Sequence, residues 1–446
     1  MPTMRFVLMR WTIAFASSCW LVAAVPAPTF AQTRDSTAVE RRATQIVAAI
    51  NGGPFDADTL FAPGFLAQLP SSRIRQLFTQ LATQYGAIDS VTLGSSGAHA
   101  ANNGVFQLSL HKGFSMAMTV NVAAISPSRV DGLFFGTPSK SVATLDELMR
   151  EFAALPGHVS VLAARLDGST IVPIIGLDTS SARAIGSAFK LYVLAELVHE
   201  IEAGTRHWKD VVPLDDASRS LPSGVLQAWS SGTPVTVQTL ATLMISQSDN
   251  TAADRLLHLL GRERVENIQV AAGNAHAARN MPFLSTRELF ALKSPAASGL
   301  MAQYLSGTTS SRRAVLAEVD RTLYTEIMPD YSRGPVAIDS VEWFATASDL
   351  ARTMVWIRDH TASGEAAAAR SVLAVNPGIS WPRTTWSYVG FKGGSEPGVL
   401  DLTFLLRRAD GKWFVLTATW NNAEKAVDEG VFAALVKRAG ELLALN

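Results

Sequence analysis

Cysteine is nearly missing from these 446 residues: the one copy is Cys19, close to the N-terminus. A chain processed beyond that point has no thiol, which excludes disulfides, a cysteine nucleophile and thiolate metal sites. Charge of one sign is missing too. Lys+Arg and Asp+Glu both number 38, and a net charge of zero argues against a dedicated nucleic-acid binder or an anionic-membrane surface protein. The eight histidines show no His-Glu-x-x-His pairing, so no metal and no cofactor are expected. There is no Gly-x-Ser-x-Gly elbow. Beyond the first thirty or so residues no apolar run is long enough to cross a bilayer, and no repeat or low-complexity tract stands out.

What is present begins with a secretory signal over residues 1–31. Arg5 and Arg10 flank an apolar core, Trp11 to Val25, and Thr29-Phe30-Ala31 offers the small residues that a signal peptidase reads. Cleavage after Ala31 predicts a periplasmic or secreted chain with no membrane association. An uncleaved anchor is the competing reading, although the core is short for a span. Ala16-Ser17-Ser18-Cys19 faintly resembles a lipoprotein box but lacks its leucine.

The length allows two domains. Residues 35–137 read as a small α+β domain. Val39 to Ile50 and Ser71 to Tyr85 have helical periodicity, and Phe106, Leu108 and Leu110, then Met116, Met118, Val120 and Val122, alternate as strands do. Helices followed by an antiparallel sheet are similar to the cone of nuclear-transport-factor (NTF2) and steroid-isomerase-like domains. No acid–base pair stands out there, which suggests a scaffold or a substrate-positioning module. Thr137 to Ser141 is the linker, and 142–446 the second domain. His158 to Leu166 and Thr170 to Leu177 are β-rich near its start, and three strands between Trp386 and Trp420 near its end. Helices lie between, which predicts one sheet closed by the two ends of the domain. Residues 261–345 read as irregular, cut by Pro282, Pro295, Pro329 and Pro335.

Three short motifs carry chemistry in this second domain. Ser187 and Lys190 stand three apart at the front of a helical segment, so they share a face and the lysine amine reaches the serine hydroxyl. A serine becomes nucleophilic when a neighbouring base takes its proton, and a lysine is that base when burial or a nearby cation depresses its pKa. A helix N-terminus adds N–H groups suited to a developing oxyanion. Ser248-Asp249-Asn250 lies 61 residues further on, and Lys392-Gly393-Gly394-Ser395 another 144 after Ser248. Taken singly, Ser248 and Asp249 read as caps, Asn250 as a turn residue and Lys392 as a strand-edge charge.

In this order the motifs resemble the Ser-x-x-Lys, Ser-Asp-Asn, Lys-Thr-Gly series of class A β-lactamases and penicillin-binding proteins, with Gly393 in place of the threonine. Pro282-Phe283-Leu284-Ser285-Thr286-Arg287-Glu288 and Phe391 to Gly398 look like the two-domain β-lactamase-like hydrolases that carry a steroid-isomerase-like domain first, including the clavulanic-acid biosynthesis type. The resemblance implies a β-lactamase/transpeptidase-like α/β sandwich with a five-stranded antiparallel sheet. It implies Ser187 as nucleophile, Lys190 as base, Ser248 as proton relay, and the Ser187 and Ser395 N–H groups as oxyanion hole. Asn250, Lys392, Gly393 and Gly394 would bind substrate. No Glu-x-x-Leu-Asn follows Asn250. Glu288 is the nearest candidate for a deacylation base, and its helical context also suits a surface residue. The implied activity is hydrolysis of a β-lactam, or of an ester or amide of related shape, with weak deacylation of β-lactams. A D,D-peptidase acting on D-Ala-type cell-wall peptide, and a non-catalytic β-lactam or peptide sensor, are the alternatives.

Overall fold

In the run Val159-Ser160-Val161-Leu162-Ala163-Ala164 small and apolar side chains occupy both strand faces, which suits a strand covered on each side. In the computed structural model, which describes residues 37–93, 102–319 and 328–446, this run lies in the strand His158–Asp167 at the heart of a five-stranded antiparallel sheet. The order across the sheet is Trp386–Glu396, Val399–Arg408, Trp413–Asn421, His158–Asp167, Thr170–Leu177. Val415 pairs with Ala164, so the end of the chain closes onto the start of the sheet, as the sequence predicts. The segment expected to be a signal, 1–31 with Cys19, lies outside the described residues.

The period of two sorts the side chains. Leu162, Ala164, Leu405 and Val415 join a core built around the helix Lys190–Glu202. Val161, Ala163, Phe404, Phe414 and Leu416 face a second core with the C-terminal helix Glu429–Leu443. Each fully buried Phe or Leu contributes about 1.5–3 kcal/mol. The helix Lys190–Glu202 is buried on all sides from Lys190 through Val198, the pattern of a central helix. Its first residue is therefore a lysine placed where water cannot reach.

The N-terminal part packs the helices Ala38–Ile50 and Ser71–Tyr85 on an antiparallel sheet whose main path is Ile88–Leu93, Asn103–Leu110, Phe114–Val122 and Val130–Phe135. Ile46, Ile74, Phe78, Leu108 and Met118 share one core. That core also takes in Ala434 of the C-terminal helix, with Val431 packed against it. Ser139 donates to Glu441 at 2.7 Å and Arg438 to the Val142 carbonyl at 2.7 Å. Ala38–Asn446 accordingly form one compact unit, with the C-terminal helix lying against the segment expected to be a linker.

Residues 261–345 are more regular than their prolines suggest. Helices span Arg262–Ala271, Thr286–Lys293, Ser298–Ser306 and Thr309–Val319. Pro295 sits at the first position of a single 3-10 turn, where its missing N–H costs nothing. This helical lobe accounts for much of the long interval between the second and third motifs. It is tied to the sheet by a buried cluster. Lys293 donates to Glu342 at 3.2 Å and also to Glu396, and Tyr331 donates to Glu396 at 3.0 Å. Burial pulls Lys293 down, but the two acidic partners outweigh it and hold the amine protonated.

Candidate active site

Ser187 lies in a short 3-10 turn, Gly186–Phe189, that feeds directly into the helix Lys190–Glu202. Phe189 fixes this turn from below by stacking on Trp343, with ring centroids 3.8 Å apart. The first N–H groups of such a turn have no acceptor within it. Gly186 has a φ of +48°, and a Cβ there would come within 3.1 Å of the Ser395 nitrogen. A Cβ on Gly394 would lie 2.1 Å from the Ile185 carbonyl and 2.5 Å from the Ser187 nitrogen. Only glycine at 394 lets the edge strand approach the turn this closely. The approach brings the backbone N–H groups of Ser187 and Ser395 into one small region. The edge strand runs on past Lys392 to Glu396 because Gly393 and Gly394 stay paired with Leu402 and Asp401.

The second motif is held by its own loop. Ser248 has a φ of +54°, a conformation costing about 1–3 kcal/mol for a residue with a side chain. Ser223 donates to the Ser248 carbonyl at 2.6 Å, and Asn250 donates through its N–H to the Ser223 carbonyl at 3.0 Å. Asp249 caps the helix Asn250–Leu260 by accepting from Ala252 at 2.9 Å, and its other oxygen accepts from Val225 and Leu226 at 2.6 and 3.0 Å. The cap predicted for Asp249 is present. Ser223 belongs to no motif in the sequence, and only its bonds to Ser248 and Asn250 show its part in the site.

The first two motifs meet at Lys190, and the third joins them at Ser248. Lys190 Nζ lies 3.1 Å from Ser187 Oγ, 3.1 Å from Ser248 Oγ, 2.7 Å from the Ser248 carbonyl and 2.7 Å from Asn250 Oδ1. An ammonium offers three N–H bonds and a neutral amine two N–H bonds and one lone pair, so either form makes three directed bonds among these four contacts. The two short contacts are to atoms that only accept, so they take the two N–H bonds, and the lone pair faces the serine hydroxyls. Burial, and after it the charge of Lys392, draws the Lys190 pKa well below its ordinary value. Electrostatics therefore favours a neutral amine beside Ser187, and the geometry accommodates it.

Lys392 Nζ lies 3.1 Å from Ser248 Oγ and also donates to the Gly393 carbonyl. Ser248 thus stands between two lysines, able to accept from Lys392 while donating to Lys190. Burial draws Lys392 down to about 7, opposed by Asp401. Asn250 is placed differently from expectation. Its Oδ1 accepts from Lys190 and its Nδ2 donates to the Leu221 carbonyl at 2.8 Å, and it is 2% exposed. Its amide orients the lysine, bridging Lys190 to the Leu221 carbonyl.

Glu288 departs furthest from the role considered for it. It is fully buried, and Arg262 grips both its oxygens at 2.6 and 2.9 Å. It also closes a capping box with Ser285, accepting from the Ser285 N–H at 2.7 Å. Its two oxygens take three donors and it is wholly shut off from solvent, held in an ion pair and a helix cap. That burial contradicts the surface reading and does not support a deacylation role. Among the described residues no group of His, Cys, Asp and Glu is arranged to hold a metal.

No curated protein matches the chain. Among solved structures, a beta-lactamase from Sphaerobacter thermophilus is 20% identical, over 68% of this chain and 97% of that one, with a TM-score of 0.46. A beta-lactamase from Francisella tularensis is 14% identical, over 68% and 99%, at 0.47. PBP-A is 13% identical, over 66% and 95%, at 0.40. The Lys392 motif lies beyond the stretch that a family model covers. Residues 141–317, which contain Ser187, Lys190, Ser248 and Asn250, match the model of the Beta-lactamase enzyme family.

Proposed function

We propose that this chain is an exported serine hydrolase, acylated on Ser187 by a β-lactam or by an ester or amide of related shape, and slow to release a β-lactam adduct. The observation that carries this reading is the buried Lys190 amine, 3.1 Å from the Ser187 hydroxyl and already saturated on its two N–H bonds. Lys190 takes the Ser187 proton as Oγ attacks the carbonyl carbon. The tetrahedral oxyanion sits between the N–H groups of Ser187 and Ser395. When the carbon–nitrogen or carbon–oxygen bond breaks, Ser248 gives its proton to the leaving atom and is reprotonated from the lysine side. Lys392 supplies positive charge for a substrate carboxylate.

Release of the acyl group needs a positioned water and a second base. Glu288 is committed to Arg262, which supports slow deacylation of bulky adducts. The N-terminal module, proposed as an NTF2 or steroid-isomerase-like domain, acts as a support packed on the C-terminal helix. A signal over 1–31 would deliver the chain to the periplasm or the medium.

Mixing the chain with a chromogenic cephalosporin tests the reading. A burst of one equivalent per chain followed by slow turnover is expected, with faster turnover of a small aryl ester. Rapid hydrolysis without a burst would overturn the slow release. Turnover of a D-Ala-D-Ala peptide with no reaction of the cephalosporin would favour a D,D-peptidase.

A further inference from the structure

Behind the site, on the strand next to Lys392, stands a carboxylate for which the acylation chemistry has no use. Asp401 is fully buried. In the antiparallel register it is opposite Gly394, while Lys392 is opposite Thr403. Lys392 and Asp401 are therefore diagonal neighbours on one sheet face, a spacing that long side chains bridge. The two Asp401 oxygens each accept from a buried hydroxyl, Thr403 at 2.8 Å and Thr419 at 2.7 Å. Hydroxyl donors solvate a carboxylate without neutralising it. A buried charge left in that condition costs several kcal/mol unless a cation stands near.

We propose that Asp401 is the counter-charge that keeps Lys392 an ammonium, and so the positioning residue for recognition of the substrate carboxylate. The inference rests on the acylation reading and deepens it. Lys392 and Lys190 are both buried and both touch Ser248, and in that confined space two ammonium groups repel. The site needs one of each kind: a neutral amine at Lys190 to take a proton and a charged one at Lys392. Asp249 and Asp254 favour the charged form of Lys190, but burial and the charge of Lys392 outweigh them, while Asp401 is the carboxylate that acts on Lys392. Tyr192, on the helix facing the sheet, senses both Asp401 and Asp349, and burial keeps it protonated. Burial pushes Asp401 up to about 7, against its two threonine donors and Lys392.

The test is Asp401→Asn in the full chain, which keeps the shape and hydrogen-bonding capacity between the threonines and removes the charge. Acylation by a chromogenic cephalosporin, which carries a carboxylate, and by neutral p-nitrophenyl acetate is followed from pH 5 to about 9. Loss of an opposite charge moves the alkaline limb for the cephalosporin down by about one pH unit, a roughly tenfold loss in kcat/KM above that limb, carried by KM. The neutral ester loses less. An unchanged limb, or equal losses for both substrates, overturns the assignment of Asp401 while leaving the acylation reading standing. A wild-type chain that reacts with neither substrate overturns both. If the substituted chain melts early, Thr419→Val removes one donor from the Asp401 carboxylate, and a smaller downward displacement of the same limb is the expected result; no displacement refutes the role.

Discussion

Replacing Lys190 by methionine fills the same buried volume and deletes the amine. In the wild type that amine donates to the Ser248 carbonyl and to Asn250 Oδ1 and faces Ser187. The Ser248 carbonyl keeps its bond from Ser223 at 2.6 Å, so only Asn250 Oδ1 loses the donor named here. One unsatisfied buried acceptor costs about 1–3 kcal/mol, and this is offset in part because a buried amine no longer has to be desolvated. The fold should therefore survive with a modest fall in Tm. The chemistry should not, since loss of a general base costs about 10²–10⁴-fold, or about 3–5 kcal/mol on the barrier. Stopped-flow acylation by a chromogenic cephalosporin, beside a thermal melt, separates the two effects. The wild-type rate should rise with pH through the lowered Lys190 pKa, because only the neutral amine accepts a proton, and this acid limb should vanish in Lys190→Met. A variant that acylates within about tenfold of wild type, or keeps the acid limb and changes only KM, would show that Lys190 clamps substrate and is not the base.

Further outcomes follow from the same geometry. Gly394→Ala places a methyl 2.1 Å from the Ile185 carbonyl and 2.5 Å from the Ser187 nitrogen; pushing the Ser395 N–H out of place should slow acylation about 10²–10³-fold, and an unaltered burst rate would remove Ser395 from the oxyanion hole. Glu288→Gln should lower stability by about 1–3 kcal/mol through its bonds to Arg262 and Ser285 and leave deacylation unchanged; a fall confined to the slow phase of the burst would restore Glu288 as a base. A chain beginning at Ser141 exposes Val431 and Ala434 on the C-terminal helix and loses the Ser139–Glu441 bond. It should be less stable and less soluble, and equal melting of the two chains would show the first module to be a mere appendage.

The sheet and the central helix were legible because their signals are local. Val159 to Ala164 has the composition of a strand covered on both faces, and Leu191 to Val198 that of a buried helix. The closure of one sheet by both ends of the domain followed from where the strands lie, while its register, such as Val415 opposite Ala164, did not. The helical lobe was not legible, because Pro282 and Pro295 read as breaks, while helix starts such as the Ser285–Glu288 capping box depend on a side chain reaching back over one turn. At the site, Ser187, Lys190, Ser248 and Lys392 were found as a series of motifs. Asp401 was not, because Asp401-Leu402-Thr403 reads as ordinary alternation in a strand, and only the register beside Gly394 gives it a neighbour. Asn250 shows the opposite case: its residue type was noticed, but its partner, Lys190, is 60 residues away and settles which way its amide points.

The central claim is that Ser187 becomes covalently acylated. Intact-protein mass spectrometry of the full chain mixed with a panel of β-lactams and small esters tests it directly. The account predicts one adduct per chain, on the peptide that contains Ser187, long-lived for the β-lactams and short-lived for the esters, and no adduct on a folded Ser187→Ala chain. An unmodified wild-type chain that nonetheless consumes substrate, or an equal adduct on Ser187→Ala, would contradict it.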